Sequence, residues 1–295
     1  MALYLVGLVG TGVGPSLTPA LHMAEGQAQG LGYAYRTIDL SAVGVAPERI
    51  GEVLEWARAF GFNALNITHP CKRLVIEHLD HIDDAAAEVG AVNTVVFDGP
   101  RAIGYNTDTT GFALGFREGL PGAATDNVVM VGAGGAGAAV GDALLRLGAE
   151  HLTIVDLDIE RATALANELS TRRPQSRVEA SALDKLPVLL PHSDGVVHCT
   201  PTGMIEHPGL PFSAELLHPD LWVADIVYRP LDTELLTAAL DAGCRVCDGG
   251  HMAVHQAAEA FELITGVTPD TERISRHFRR LVGRSIHPRE ITGES

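Results

Sequence analysis

The chain has 295 residues, 46% hydrophobic and 20% charged, with 32 Gly, 16 Pro and a formal net charge of −16. That hydrophobic content excludes intrinsic disorder, and the glycines have no three-residue period, which excludes a collagen-like chain. A body this acidic repels phosphate backbones, so nucleic acid is not an expected partner, although local donors can still hold a small anion.

The length is about twice that of a typical domain, which predicts two domains. The start, Met1-Ala2-Leu3-Tyr4-Leu5-Val6-Gly7, has no basic residue before its apolar run. It reads as a first strand over 4–9 and not as a secretory signal. A helix over 19–30, a strand over 33–38 and a helix over 47–60 follow; the last carries Ile50, Val53, Leu54, Ala57 and Phe60 on one face. Strands are expected at 64–67, 92–97 and 101–105, the last two pairing across Asp98-Gly99-Pro100 as an antiparallel edge on an otherwise parallel sheet. Residues 107–119 read as a linking helix and 121–126 as a polar turn, so the boundary falls near 106–126.

The second half has a clearer rhythm. Strands at 127–132, 151–156, 177–180, 195–199, 221–225 and 244–247 alternate with helices that include 138–147 and 159–170. That alternation predicts a parallel, doubly wound α/β sheet. Gly148 ends the helix over 138–147 as a left-handed cap. Two more helical patterns, 252–264 and 271–282, follow the last strand and should return to cover the first domain. The expected division is 1–106 completed by 251–282, then 107–250, with a tail over 283–295 that should fray. No apolar run approaches the roughly 20 residues of a membrane span, and a cytoplasmic protein is expected.

Gly132-Ala133-Gly134-Gly135-Ala136-Gly137 is a G-x-G-x-x-G turn between an expected strand and an expected helix. Glycines let the backbone approach a pyrophosphate, and the helix N-terminus attracts the anion. Asp156 ends the next strand, 19 residues after Gly137, where an acid can bond the ribose hydroxyls of NAD. A 2′-phosphate needs a cation there, yet Asp156-Leu157-Asp158 offers two acids and no base, which favours NAD over NADP. Arg161, one helical turn on, either pairs with Asp158, packs on the adenine, or serves as a residual phosphate ligand.

Two segments of the first half suggest polar chemistry. In Asn66-Ile67-Thr68-His69-Pro70-Cys71-Lys72, Pro70 opens a helix and Lys72 sits in its first turn, where a cation is electrostatically unfavourable. In Asn106-Thr107-Asp108, the acid either caps the linking helix or faces Lys72. If the two share a cleft, they form a proton-transfer unit acting on a substrate hydroxyl. Ser16 and Thr18 can both donate to a carboxylate; alternatively Thr18 caps the helix from Pro19 while Ser16 binds.

Other residue types point to no site. Cys244 and Cys247 form a C-x-x-C within a short strand, where residues three apart face opposite ways, so buried, inert thiols are expected. The 13 histidines carry no H-E-x-x-H pattern and no metal is expected.

Seven ordered motifs together resemble the shikimate dehydrogenase family over residues 4 to 282: Ser16-Leu-Thr18, Asn66 to Lys72, Gly90-Ala-Val-Asn93-Thr, Asn106-Thr-Asp108, Gly132 to Gly137, Asp225-Ile-Val-Tyr228, and Asp248-Gly249-Gly250-His-Met252 through Gln256. The resemblance implies an N-terminal substrate-binding and catalytic domain, a Rossmann-type NAD-binding domain, and a site in the cleft between them. It implies reversible hydride transfer between a cyclohexene or cyclohexane polyol acid and a nicotinamide cofactor. By the same resemblance Lys72 and Asp108 are the catalytic pair, and Ser16 and Thr18 hold the substrate carboxylate. Thr68, Asn93, Asp108 and Gln256 bond the ring hydroxyls, with Asn66 and Tyr228 at the pocket wall. Gly249, Met252 and Val227 lie by the nicotinamide, and Thr200 and Thr202 line the pyrophosphate side.

Two departures from shikimate-specific, NADP-using members stand out. They usually carry Asn-Arg-Thr where this chain has Asp156-Leu157-Asp158, and Ser where it has Thr18. Both resemble the NAD-dependent quinate/shikimate dehydrogenase branch, with quinate, shikimate or their dehydro forms as small-molecule partners and a catabolic role. The alternatives are a biosynthetic NADP-dependent shikimate dehydrogenase, an aminoshikimate or aminoquinate dehydrogenase, and a nucleotide-sensing regulatory protein without turnover. The last predicts loss of Lys72 or Asp108, and both are present. A monomer or a homodimer is expected.

Overall fold

The computed structural model describes residues 2–283; from 284 onward the expected fraying tail lies outside the described residues. Six strands form the first sheet: β1 (Leu3–Gly10), β2 (Gly32–Asp39), β3 (Ala64–Ile67), β4 (His81–Ile82), β5 (Thr94–Asp98) and β6 (Arg101–Tyr105), in the order β2-β1-β3-β5-β6-β4. Helices α1 (Thr18–Ala28), α2 (Ile50–Ala59), α3 (Cys71–Leu74) and α4 (Asp84–Val89) accompany it. The apolar face of α2 buries Ile50, Val53, Leu54 and Ala57 against Leu65, Ile67 and Val95.

The expected antiparallel edge needs correction. β5 runs against both β3 and β6, whereas β6 and β4 run parallel to each other. The β5–β6 hairpin therefore lies inside the sheet, and β4 is the edge. A two-residue strand has no alternation to read, which is why the sequence pattern missed it.

The second sheet comprises β7 (Asn127–Val131), β8 (His151–Asp156), β9 (Arg177–Ala182), β10 (Gly195–His198), β11 (Trp222–Asp225) and β12 (Arg245–Cys247), in the order β12-β11-β10-β7-β8-β9. Every pairing in it is parallel. Around it lie α5 (Asp108–Gly119), α6 (Gly135–Arg146), α7 (Ile159–Arg172), α8 (Leu186–Leu189) and α9 (Glu234–Asp241). Both faces are covered: Val128 and Met130 of β7 join one core cluster, Val129 and Val131 another. Strand order reverses between β7 and β10, and the loops after those two strands flank the crevice where such sheets bind ligands.

The chain ends in α10 (Gly249–Thr265) and α11 (Thr271–Leu281). α10 lies close along α5, because a side chain at Gly115 would put its Cβ 2.8 Å from the Met252 backbone nitrogen. Both helices then reach the first sheet and its flank. Phe261 stacks on Tyr33 at 5.4 Å between ring centroids, Tyr4 donates to the Thr265 carbonyl, and Arg273 pairs with Glu25 of α1 at 2.6 Å. Among the described residues, no helix is long and apolar enough to cross a membrane.

Candidate active site

Lys72 Nζ lies 2.7 Å from Asp108 Oδ2. The other carboxylate oxygen, Oδ1, accepts from Asn93 Nδ2 at 3.0 Å and from Gln256 Nε2 at 2.5 Å. One carboxylate thus gathers residues from α3, the approach to β5, the start of α5, and α10. The Asp108 side chain is 2% exposed and that of Lys72 18%, so the acid is the fixed part and the amine is the part a ligand can reach.

Local structure frees that carboxylate. Asp108 opens α5, but it does not cap the helix as one sequence reading allowed. Asn106, one residue before the cap position Thr107, takes that role: its Oδ1 accepts the backbone N–H groups of Asp108 at 2.9 Å and Thr109 at 3.3 Å. Asn106 Nδ2 donates to the Ala91 carbonyl, which fixes the Asn106 side chain. An Asn two positions before a helix-opening acid is the signature of such a turn. Asn93 is held in turn, because its Oδ1 accepts the Thr107 N–H at 2.9 Å while its Nδ2 also reaches Thr107 Oγ1.

Lys72 is the second residue of α3, in its first turn as the sequence predicts, and the chain continues into a further helical turn over Val75–His78. What fixes Lys72 is Asp108, together with a bond from the Val92 N–H to the Lys72 carbonyl that ties α3 to the segment leading to Asn93.

On the other side of the first sheet, α1 starts at Thr18 with Leu17 as the preceding cap residue, so Thr18 is not the cap. Ser16 Oγ accepts the Thr18 N–H at 3.3 Å. Burial pushes the Tyr228 phenol up, and the Ser16 side chain beside it opposes that rise. Arg229 donates to the Pro15 carbonyl at 2.9 Å. The loop before α1 and the loop after β11 therefore meet across the cleft. Thr68 follows β3, half-buried, with its methyl group against Gly10. Asn66 is buried beneath this surface: Tyr35 donates to its Oδ1 at 2.6 Å and its Nδ2 donates to Thr94 Oγ1 at 2.9 Å. Its amide is spent on protein partners, so it supports the wall from behind.

The glycine turn fits a dinucleotide. Gly132 has φ +113° and lies against the Cys199 carbonyl, and a Cβ on Gly137 would fall 2.1 Å from the Gly132 oxygen. These two positions tolerate nothing larger. Gly134 caps α6 without a side-chain partner, and a Cβ at Gly135 would meet nothing within 4 Å. The first backbone N–H groups of α6 are thus uncovered donors, as an anion site requires. Ala133 and Ala136 complete the turn.

At the next strand end, Asp156 accepts the Ala133 N–H at 2.7 Å and the Asp158 N–H at 3.0 Å. Asp158 caps α7 through the Glu160 and Arg161 N–H groups. The expected side-chain pairing of Arg161 with Asp158 does not form. The Arg161 guanidinium instead lies about the glycine turn, 3.6 Å from where a Gly134 Cβ would be. Thr200 and Thr202 follow β10. Val227 and Gly249 are in contact, since a Cβ on Gly249 would come 2.5 Å from the Val227 oxygen, and Met252 follows on α10 one turn later.

Two groups near the site were not anticipated. Glu259 lies one turn beyond Gln256 on α10. Burial pushes its carboxyl up to about 7, with the carboxylates of Asp108, Asp83 and Glu262 adding to the rise and the nearby Thr110 side chain opposing it. His198 and Asp225, at the ends of β10 and β11, form a buried pair at 2.9 Å. All four cysteines are free and buried.

Comparison with known proteins identifies the family. The model of the shikimate dehydrogenase substrate binding domain matches residues 8–95, that of shikimate / quinate 5-dehydrogenase residues 117–205, and that of the shikimate 5′-dehydrogenase C-terminal domain residues 251–276. A shikimate dehydrogenase (NADP(+)) of Streptomyces avermitilis is 57% identical over 95% of this chain and 96% of its own. A quinate/shikimate dehydrogenase (NAD(+)) of Corynebacterium efficiens is 47% identical over 94% of this chain and 98% of its own. Among solved structures, quinate dehydrogenase from Corynebacterium glutamicum in complex with NAD superposes with a TM-score of 0.89 at 44% identity, covering 95% of this chain and all 100% of the other.

Proposed function

The chain belongs to the shikimate dehydrogenase family, and on that premise we propose that it reversibly oxidises quinate and shikimate to 3-dehydroquinate and 3-dehydroshikimate with NAD. The observation that carries this reading is the Lys72–Asp108 contact at 2.7 Å, with Asn93 and Gln256 on the second carboxylate oxygen.

A nicotinamide dinucleotide along residues 132–137 supplies the hydride acceptor. Everything else is the work of this chain. Ser16 and Thr18 hold the substrate carboxylate, and Tyr228 closes the wall beside them. Thr68, Asn93, Asp108 and Gln256 bond the ring hydroxyls. Lys72 Nζ takes the proton from the hydroxyl whose carbon loses hydride, and returns it in the reverse direction. Asp108 keeps the amine aimed at that hydroxyl, and Asn93 and Gln256 keep Asp108 from turning away. The first N–H groups of α6 hold the pyrophosphate, with Thr200 and Thr202 opposite. Val227, Gly249 and Met252 form the wall beside the nicotinamide.

The choice of NAD rests on Asp156 and Asp158, two acids where a 2′-phosphate would need a cation. A second reading, NADP-dependent shikimate dehydrogenase, is favoured by two observations. The 57% identical relative bears that name, and the Arg161 guanidinium lies beside Gly134. Initial rates with quinate and shikimate, each with NAD and with NADP, separate the two. Turnover of both acids with NAD, and little with NADP, is the expected result.

A further inference from the structure

We propose that His198 is a positioning residue for the dinucleotide side of the cleft, acting by fixing the hydroxyl of Thr200 through a buried relay that starts at Asp225. This rests on the reading above that Thr200 faces the cofactor.

His198 and Asp225 are the last residues of β10 and β11 and are register partners on these neighbouring strands. Both side chains are 0% exposed. His198 Nδ1 meets Asp225 Oδ1 at 2.9 Å, and His198 Nε2 meets Thr200 Oγ1 at 2.5 Å. The same carboxylate accepts the Val227 N–H at 3.0 Å and the Thr233 hydroxyl at 2.8 Å.

With the imidazole neutral and its proton on Nδ1 toward Asp225, Nε2 is the acceptor for the Thr200 hydroxyl. Thr200 Oγ1 also accepts the Thr202 N–H at 3.2 Å, which makes it the knot of the loop after β10. That loop is pressed on the glycine turn, since a Cβ on Gly132 would lie 2.9 Å from both the Cys199 oxygen and Thr200 Cγ2. Asp225 reaches the nicotinamide wall as well, through Val227. One buried acid–imidazole pair therefore sets two loops that face the dinucleotide, while neither ring nitrogen is left over to touch a ligand. A buried polar pair with its donors matched rigidifies the groups it joins.

The test compares KM values for NAD and for shikimate, with kcat and Tm, in the full-length parent and in His198→Leu, His198→Gln, Thr200→Val and Thr200→Ser. Leu removes both ring nitrogens, whereas Gln can present an amide oxygen near the position of Nε2 and so restore the acceptor for Thr200. Losing a buried hydrogen bond that holds the loop should raise KM for NAD by about tenfold in His198→Leu and Thr200→Val, with KM for shikimate within about twofold of the parent. His198→Gln should stay near the parent, and Thr200→Ser should lose less than Thr200→Val. If His198→Leu does not fold, the contrast of Thr200→Val with Thr200→Ser tests the same bond from its other end. Parental KM for NAD in Thr200→Val, or an equal rise for shikimate and NAD, would overturn the inference. A parent that turns over neither quinate nor shikimate would instead overturn the functional reading beneath it.

Discussion

Asp156 and Ala133 are joined by a hydrogen bond of 2.7 Å, so the acid that ends β8 also fastens the second residue of the glycine turn. The same carboxylate takes the Asp158 N–H. Asp156 holds the turn, and on the proposed NAD reading it also repels a 2′-phosphate. Asp156→Asn keeps one acceptor for Ala133 and removes the charge. Asp156→Ala removes both and leaves two backbone donors without their partner. The NAD-to-NADP ratio of kcat/KM should fall about tenfold or more in both variants, since a bond to a charged group is worth roughly 1.5–3 kcal/mol. Only Asp156→Ala should also lose absolute kcat/KM with NADP. Steady-state rates with each cofactor decide this, and equal use of both by the parent would contradict a discriminating role for Asp156.

Thr18 opens α1, and its N–H is held by Ser16. On the proposed reading, its methyl, which a serine lacks, sets the bound carboxylate for the puckered, saturated ring of quinate. Thr18→Ser should lower the quinate-to-shikimate ratio of kcat/KM, by an amount bounded by the roughly 1–3 kcal/mol that one methyl group is worth. A ratio unchanged within error would remove Thr18 from the specificity argument.

Glu259 predicts a pH-dependent stability. Its carboxyl is raised from 4.5 to about 7, chiefly by burial. Below pH 4.5 it is protonated folded or unfolded and costs nothing. Between 4.5 and about 7 the unfolded chain ionises first, so the folded state loses stability as pH rises, and above about 7 the loss is complete. Glu259→Gln removes that titration and keeps the shape of the side chain. The Tm of the variant minus that of the parent should therefore grow from pH 5 to pH 8, pH values chosen to bracket the shift from 4.5 to about 7. A difference that stays flat across that range would contradict an ionisable cost at this position.

Much of this architecture is legible in the sequence for a physical reason. Fully buried parallel strands such as β7 are short apolar runs between turns, and their bounds follow from the glycines and polar residues that end them. The helices after the last strand were readable from their apolar spacing. What escaped has either no period or no local cause. β4 is two residues long, and the reversed direction of β5 depends on partners distant in sequence. In the site, Lys72 and Asp108 were nameable from their motifs, but their pairing was conditional on the fold. Asn106 and His198 went unread because each acts on another residue of the protein: Asn106 on the α5 backbone, and His198 on Asp225 and Thr200.

On the proposed function, Lys72, held by Asp108, moves the proton while the dinucleotide binds elsewhere. Lys72→Met tests it most directly, with kcat for shikimate oxidation measured beside NAD titration by fluorescence. A positioned base contributes about 10²–10⁴ to such a step, so kcat should fall by that order while NAD affinity stays near the parent's. Lys72→Arg should not restore the rate, because a guanidinium does not release its proton near neutral pH. A kcat for Lys72→Met within about threefold of the parent, far below the 10²-fold floor for general-base loss, would contradict the account.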